Sequence, residues 1–583
     1  MKSKTNRYII IFAISLISGV GFISYLSPNN SIYKTGLITI LMGMIFLSYC
    51  SIFNGFSFKP YAHLSRKGKT MAFVFNIFFS SVLFFSLQGS RLTLHNGSII
   101  GKGLVSLAAF LSLNAVTLFL IACIINLKSD SVNEKVAKIK ILIYALPPCL
   151  VFSLYFIAYY PAAMTPDSLD QWSQTITHNF NDWHPVAHTW FIMLTTSLWN
   201  SPAAFVITQI SILSLIIGYM CYSFEKAGVN KLAIYVILAF MSLIPVNGIY
   251  SITIWKDVLY SSLLCLFTII LFNIINTGGE WFYNKINIAL FVISSLGLSL
   301  FRHNGVLVFS ITIILFLMIF RKRLFRLYIY SGVVIVFYII ITGPIYNHYN
   351  VTASDPNEAL AIPTQQVASV IALEGEMNEK QIAFFNSIFP IDLWKSNYNP
   401  YSVDPLKFNQ EFDKEFLNNN KKEFFSNWFS LVVNNPKIVI KSYLKQTSVI
   451  WQVNQFDDGV VTLFATSIYP KESGEQMGLS NRVINKAVTS NITKVLDQTW
   501  RKPTLVMWRP AIYIFLTILL GFTLILRGEW RKSLITIPIF LNTAMLLVAL
   551  PAQDFRYLYA NLLVMCVVIL CSLTKENKIA WRI

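Results

Sequence analysis

A chain of 583 residues with 55% hydrophobic and 13% charged side chains has the composition of a polytopic membrane protein, not of a soluble domain. Its formal charge of +19 does not call for a nucleic-acid partner, because the basic residues gather in short loops between apolar runs. All seven cysteines fall within those runs, which excludes a disulfide framework and a CxxC metal pair.

Crossing a hydrocarbon core takes about 20 apolar residues in a helix. Fourteen runs meet or approach that length: 8–27, 36–54, 71–89, 104–126, 141–160, 202–222, 231–249, 257–275, 284–301, 304–320, 326–346, 509–527, 532–551 and 555–573. The first has the basic flank of a signal peptide, but no small-residue cleavage site follows, so it reads as a retained helix. With both termini cytoplasmic, 24 Lys and Arg residues fall on the inner side. Only seven (Lys34, Arg91, Lys102, Lys256, Arg302, Arg509 and Arg556) fall at outer loops and span ends. The apolar stretch His184–Trp199 is too short for a further span. Counting it as one would turn Arg321–Arg326 and Arg527–Lys532 outward, so it is expected to lie as a helix at the outer surface. The expected fold is all-α, with about 14 transmembrane helices.

The runs divide the chain into four parts. Residues 1–140 make a four-helix membrane extension without evident chemistry, and 141–346 carry an outer loop, 161–199, with seven spans. Residues 347–505 form one extracytoplasmic segment with 15 Lys plus Arg against 16 Asp plus Glu, and 506–583 add three closing spans. Stretches such as Asn409–Phe429 and Asn435–Trp451, bounded by Pro and Asn, make the long segment a helix-rich domain. Its lack of cysteine suits a bacterial plasma membrane.

The loop after the fifth run, YPAAMTPDSLDQWSQTITHNFNDWHPVAH, has no Lys or Arg. It places Asp167, Asp170, His178, Asp182, His184 and His188 among aromatic residues. Charged motifs stand at three later outer junctions: Trp255-Lys256-Asp257, Arg302-His303-Asn304-Gly305 and Gln553-Asp554-Phe555-Arg556-Tyr557. Only 11 carboxylates lie outside 347–505, and five of them (Asp167, Asp170, Asp182, Asp257 and Asp554) are on the predicted outer face. Charges at span ends are costly unless paired or used. Cations in such a ring can hold a phosphate, and a carboxylate can take a proton from an attacking hydroxyl.

These pieces resemble the GT-C superfamily of polytopic glycosyltransferases, which use polyprenyl-phosphate sugars. The resemblance is carried by Thr165-Pro166-Asp167-Ser168 with Gln171 close behind, by Asp182-Trp183-His184-Pro185, and by the three junction motifs, over roughly residues 141–583. It implies transfer of a sugar, with inversion, from a polyprenyl-phosphate carrier to a hydroxyl of an envelope glycan, teichoic acid or glycolipid on the extracytoplasmic face. Asp167 matches the catalytic base, and Asp170, one helical turn away, is a candidate to share that work. Gln171, Asp182, His184, Lys256, Asp257, Arg302, His303, Asp554, Arg556 and Tyr557 are the implied substrate-binding positions. Some GT-C enzymes need a divalent cation such as Mg or Mn; Asp167, Asp170 and Asp182 are the candidates to hold one. The implied partners are the lipid-linked donor, the envelope acceptor and membrane lipids, with no nucleic acid.

Blander readings compete. Asp167 can cap a helix over Ser168–Thr175, and Asp170 and Asp182 can be solvated loop residues. Lys256 and Asp257 can form a local ion pair, while Arg302 and Arg556 can snorkel to headgroups. Rival functions are a polysaccharide polymerase or ligase, and a lipid-linked glycan flippase. A flippase should carry ionisable or helix-breaking residues near the bilayer midplane in paired halves.

Overall fold

The computed structural model describes residues 61, 64–88, 99–126, 136–454, 461, 463–501 and 504–574. The expected runs 8–27 and 36–54 lie outside them. Among the described residues every regular element is a helix, and extended segments meet only in isolated bridges. Eight helical stretches are long and apolar enough to cross a membrane: Arg66–Leu87, Gly103–Ile125, Lys140–Ala158, Pro202–Lys226, Lys256–Asn276, Gly305–His348, Trp530–Ala549 and Phe555–Ser572. The sixth, 44 residues long, holds helices Gly305–Phe320 and Phe325–Ile340 parted by the basic turn Arg321–Leu324. Three shorter apolar helices, Lys231–Leu243, Lys285–Leu300 and Pro510–Leu526, stand where further runs were expected.

One expected run is broken. Helix Lys231–Leu243 stops at Ile244, which is extended (ψ 122°), and a new short helix starts at Pro245 and ends at Tyr250. A residue before proline is pushed out of the helical region, so 231–249 is two pieces at an angle instead of one rod.

The centre of the bundle is helix Lys256–Asn276, apolar on all sides and buried along most of its length. It packs against Pro202–Lys226, Lys285–Leu300 and the closing helix Tyr559–Ser572, which is almost as deeply enclosed. Helices Lys140–Ala158 and Pro202–Lys226 cross so closely that a Cβ on Gly218 would lie 2.2 Å from the Ile141 carbonyl oxygen. Glycine is the only residue that permits that approach. Among the six described cysteines, all free, five sit in these helices and Cys123 in helix Ile99–Ile125.

A second hydrophobic core runs from Leu360 to Val439 around Phe385, Trp394 and Phe424. Residues farther along do not join it: Leu463, Ile468, Leu479 and Leu496 pack into the core of the bundle. The stretch expected at Asn409–Phe429 is two helices, Lys414–Asn419 and Lys421–Asn434, and Asn435–Trp451 divides at Thr447.

Candidate functional site

The chain enters the acidic loop through a backbone clamp. Ala163 exchanges hydrogen bonds with Ile252 and Ile254 at 3.0 and 3.1 Å, and Met164 does the same with Ser467 and Tyr469 at 3.1 and 3.0 Å. Asn481 closes the clamp, its Nδ2 donating to the Ala162 carbonyl at 3.0 Å while its Oδ1 accepts from the Ile468 amide at 2.7 Å. Side chains add two more ties. Trp255 Nε1 donates to Thr165 Oγ1, and Ser168 Oγ to the Ile254 carbonyl, both at 2.7 Å. The loop is thereby fixed to the segment that opens the central helix.

Helix Pro166–Thr177 starts with Thr165 in the capping position and Pro166 as its first residue. Ser168 Oγ accepts from the Thr165 amide at 3.2 Å, completing a capping box. Asp167 is therefore not the cap. It sits in the first turn, where the positive end of the helix dipole favours a carboxylate, with its side chain free to face the bundle. The helix ends at exposed His178, whose φ of 56° is left-handed, so His178 terminates the helix away from Asp167.

Asp167 meets the last junction. Arg556 Nη1 donates to Asp167 Oδ2 at 2.5 Å, and Arg556 Nε lies 2.9 Å from Asp554 Oδ2. Asp554 Oδ1 also accepts from the Arg556 amide at 3.0 Å. One guanidinium thus spans two carboxylates, a geometry that arginine has and lysine lacks. Asp167 keeps 25% of its side chain exposed, against 7% for Asp554. Burial pushes the Asp167 carboxyl upward, but Arg556, His184 and Lys256 together outweigh it and hold Asp167 well below the usual carboxylate range. Asp554 goes the other way: burial carries it up to about 6 despite the pull of Arg556.

Lys256 and His184 form the next layer. The Lys256 ammonium donates to His184 Nδ1, which leaves the His184 proton on Nε2, 3.6 Å from Asp167 Oδ1. Burial and then Lys256 lower the His184 pKa, so the ring is neutral. Trp183 stacks on that ring at 4.4 Å, and Phe408 meets Trp183 edge-on at 5.8 Å. Among the described residues no carboxylate comes within ion-pair distance of Lys256, so its charge faces a neutral partner. The local Lys256–Asp257 pair considered above does not form.

Asp257 pairs instead with Arg302, at 3.6 Å. Its side chain is 1% exposed and neither oxygen has a hydrogen-bond partner. Arg302 donates to the Tyr557 carbonyl at 3.2 Å and lies over the rings of Tyr260 and Tyr557, each at 5.4 Å. Arg556 lies over Trp255 at 4.9 Å and Tyr557 at 5.1 Å. Tyr557 is thus shared by both guanidiniums, and the aromatic faces offset part of their desolvation. Gly305 lets the second junction motif turn tightly: a Cβ there would stand 2.0 Å from the Leu298 carbonyl oxygen.

At the open side, exposed His303 lies 3.7 Å from Asp182. Partial burial of the ring, then Lys256 and Arg302, lower the His303 pKa below the ordinary histidine value, so it is neutral at pH 7. Asp182 Oδ1 accepts from the Val186 amide at 3.0 Å and opens helix Val186–Thr196, the piece expected at the surface. Burial raises the Asp182 pKa.

Two expected residues turn elsewhere. Asp170 accepts from Gln174 at 2.8 Å on its own helix. Gln171 is buried, bonded to His188 Nδ1 at 2.9 Å and Thr189 Oγ1 at 3.1 Å, and so ties the acidic helix to the surface helix. Asp167, Asp170 and Asp182 have different partners, and among the described residues no three acidic, His or Cys side chains are grouped to hold a metal ion. The positive charge beside Asp167 comes from Arg556 and Lys256.

Trp255, Thr165, Tyr260 and Trp183 were not assigned roles from the sequence. The available signal was Trp255 itself, an aromatic residue beside a cation at a span end.

The chain belongs to the family of unknown function DUF6020, which matches residues 172–581. That match includes the Lys256, Arg302 and Arg556 motifs and begins just after Asp170. Neither the curated proteins nor the solved structures include a match.

Proposed function

We propose that this member of the DUF6020 family is a membrane glycosyltransferase of GT-C type. It transfers a sugar from a polyprenyl phosphate to a hydroxyl of a cell-envelope acceptor, on the outer face of the bacterial plasma membrane. The observation that supports this reading is the contact of part-exposed Asp167 with Arg556, beside a lysine that has only a neutral partner.

The roles follow from charge. The acceptor oxygen attacks C1 of the sugar and its proton passes to Asp167. The bond from C1 to the phosphate oxygen breaks, and the lipid phosphate leaves with the electron pair. Lys256 and Arg556 hold that phosphate, with Arg302 behind them bracing Asp257 and Tyr557. While Arg556 sits on Asp167 the carboxylate is a weak base. A donor phosphate competes for the guanidinium, so donor binding itself raises the basicity of Asp167 when it is needed.

The test is turnover by purified protein in lipid nanodiscs, given labelled polyprenyl-phosphate hexoses and an envelope extract. Release of polyprenyl phosphate coupled to a labelled acceptor supports the reading. Equal turnover by Asp167→Asn removes Asp167 from the chemistry.

A further inference from the structure

Helices Lys421–Asn434 and Pro436–Gln446 form a hairpin that turns at Asn435. Each buries one face: Phe424 and Leu431 on the first, Val439, Ser442 and Gln446 on the second. The opposite face is apolar where a water-facing surface is usually polar. Phe425, Phe429 and Val433 recur every fourth residue at 41%, 62% and 61% exposure, and Ile440 and Leu444 follow at 58% and 42%. Lys437, Lys441 and Lys445 interleave with them and, with Trp451, line an open trough of about 410 Å³. From 421 to 445 the chain carries five lysines against a single acidic residue, Glu423.

The second helix is tied to the end of a candidate span. Tyr443 Oη donates to the Leu547 carbonyl at 3.0 Å, and Gln446 Nε2 to the Leu550 carbonyl at 2.8 Å. Both acceptors mark the C-terminal end of the span Trp530–Ala549. Hydrocarbon gives way to headgroups at such an end. Exposed apolar side chains rimmed by lysines there have the pattern of an interfacial helix pair, with rings and methyls in the acyl boundary and ammonium groups at phosphates.

We infer that the hairpin Lys421–Gln446 is a docking surface for the membrane itself, and that its lysines select anionic phospholipid headgroups. This does not depend on glycosyl transfer. The hairpin is also joined to the candidate site: Gln553 Nε2 donates to the Lys445 carbonyl at 2.6 Å, one residue before Asp554.

The full chain tests this in nanodiscs of phosphatidylcholine alone or mixed equally with phosphatidylglycerol. A photoreactive benzophenone amino acid replaces Phe429 or Ile440, and adducts are read by mass. The expected result is lipid adducts at both positions, with phosphatidylglycerol enriched at least about fivefold. Lys437→Gln combined with Lys441→Gln abolishes the enrichment, whereas the two Lys→Arg changes preserve it and show that the charge matters. Position 382, where Ile382 is 42% exposed on helix Glu379–Ile388, stays unlabelled. The inference is overturned by equal labelling at 382, by enrichment that survives both Gln changes, or by polypeptide adducts in place of lipid.

Discussion

Asp167 and Arg556 stand 389 positions apart in the chain and meet at 2.5 Å. The same guanidinium reaches Asp554 at 2.9 Å, so one side chain joins the first acidic loop to the last span junction. Arg556 is therefore the residue whose loss should disturb both the fold and the chemistry.

Arg556→Lys keeps the charge but cannot address two carboxylates at once. We expect sugar transfer to fall by roughly 10- to 100-fold, the cost of one charge-assisted hydrogen bond. Arg556→Gln leaves two carboxylates without their cation and should also destabilise the fold by about 3 kcal/mol. Thermal unfolding in nanodiscs separates the two effects: Lys close to wild type, Gln clearly lower.

The Asp257–Arg302 pair lends itself to a double-mutant cycle. Arg302→Gln alone strands a carboxylate that is 1% exposed and lacks any hydrogen bond, at a cost of about 3–5 kcal/mol. Adding Asp257→Asn removes the stranded charge and should recover much of that loss. Unfolding midpoints of the two single variants and the double variant check it; additive losses would mean the pair is not coupled.

Lys256 controls the protonation of His184. Burial lowers the His184 pKa and Lys256 and Arg556 lower it further, so Lys256→Met removes one of three depressing influences. The pKa must then rise towards the ordinary histidine value. The pH dependence of the His184 ring resonances in NMR spectra, with His184→Gln to assign them, reads this directly. An unchanged midpoint would show that the Lys256–His184 contact carries no electrostatic weight.

We expect sugar transfer to depend on pH near 6 through Asp554. Burial has raised its pKa to about 6, so the carboxyl is charged above that pH and neutral below it. Protonation takes away one of the two anions of Arg556 and leaves the guanidinium to Asp167, which then becomes a poorer base. Transfer should fall as pH drops through about 6. Asp554→Asn is fixed in the neutral state, so it should run at the low-pH rate throughout and show no inflection there.

Much of this was legible because charge is conspicuous in an apolar chain. Asp167, Lys256, Asp257, Arg302, Asp554 and Arg556 could be picked out one by one, since a charged side chain at a span end must be paired or used. Their pairing could not. Lys256 and Asp257 are neighbours in sequence, yet one faces His184 and the other Arg302, because the first turn of a helix sends successive side chains in different directions. Asp170 lies one turn from Asp167 but is held by Gln174, and Gln171 braces two helices. The break at Ile244 was signalled by Pro245, but the apolar pattern runs straight across it. The clamp at Ala163 and Met164 is backbone bonding across about 90 and about 300 residues of sequence, for which no local pattern exists.

The reading proposed for Asp167 is that it takes a proton during transfer of a lipid-linked sugar. Its most direct test is the mass of envelope glycan from cells lacking this protein, supplied with either the wild-type chain or an equally expressed Asp167→Asn. We expect a missing hexose-sized mass to return with the wild type and to stay absent with Asp167→Asn. Full return of that mass with Asp167→Asn would remove Asp167 from the chemistry.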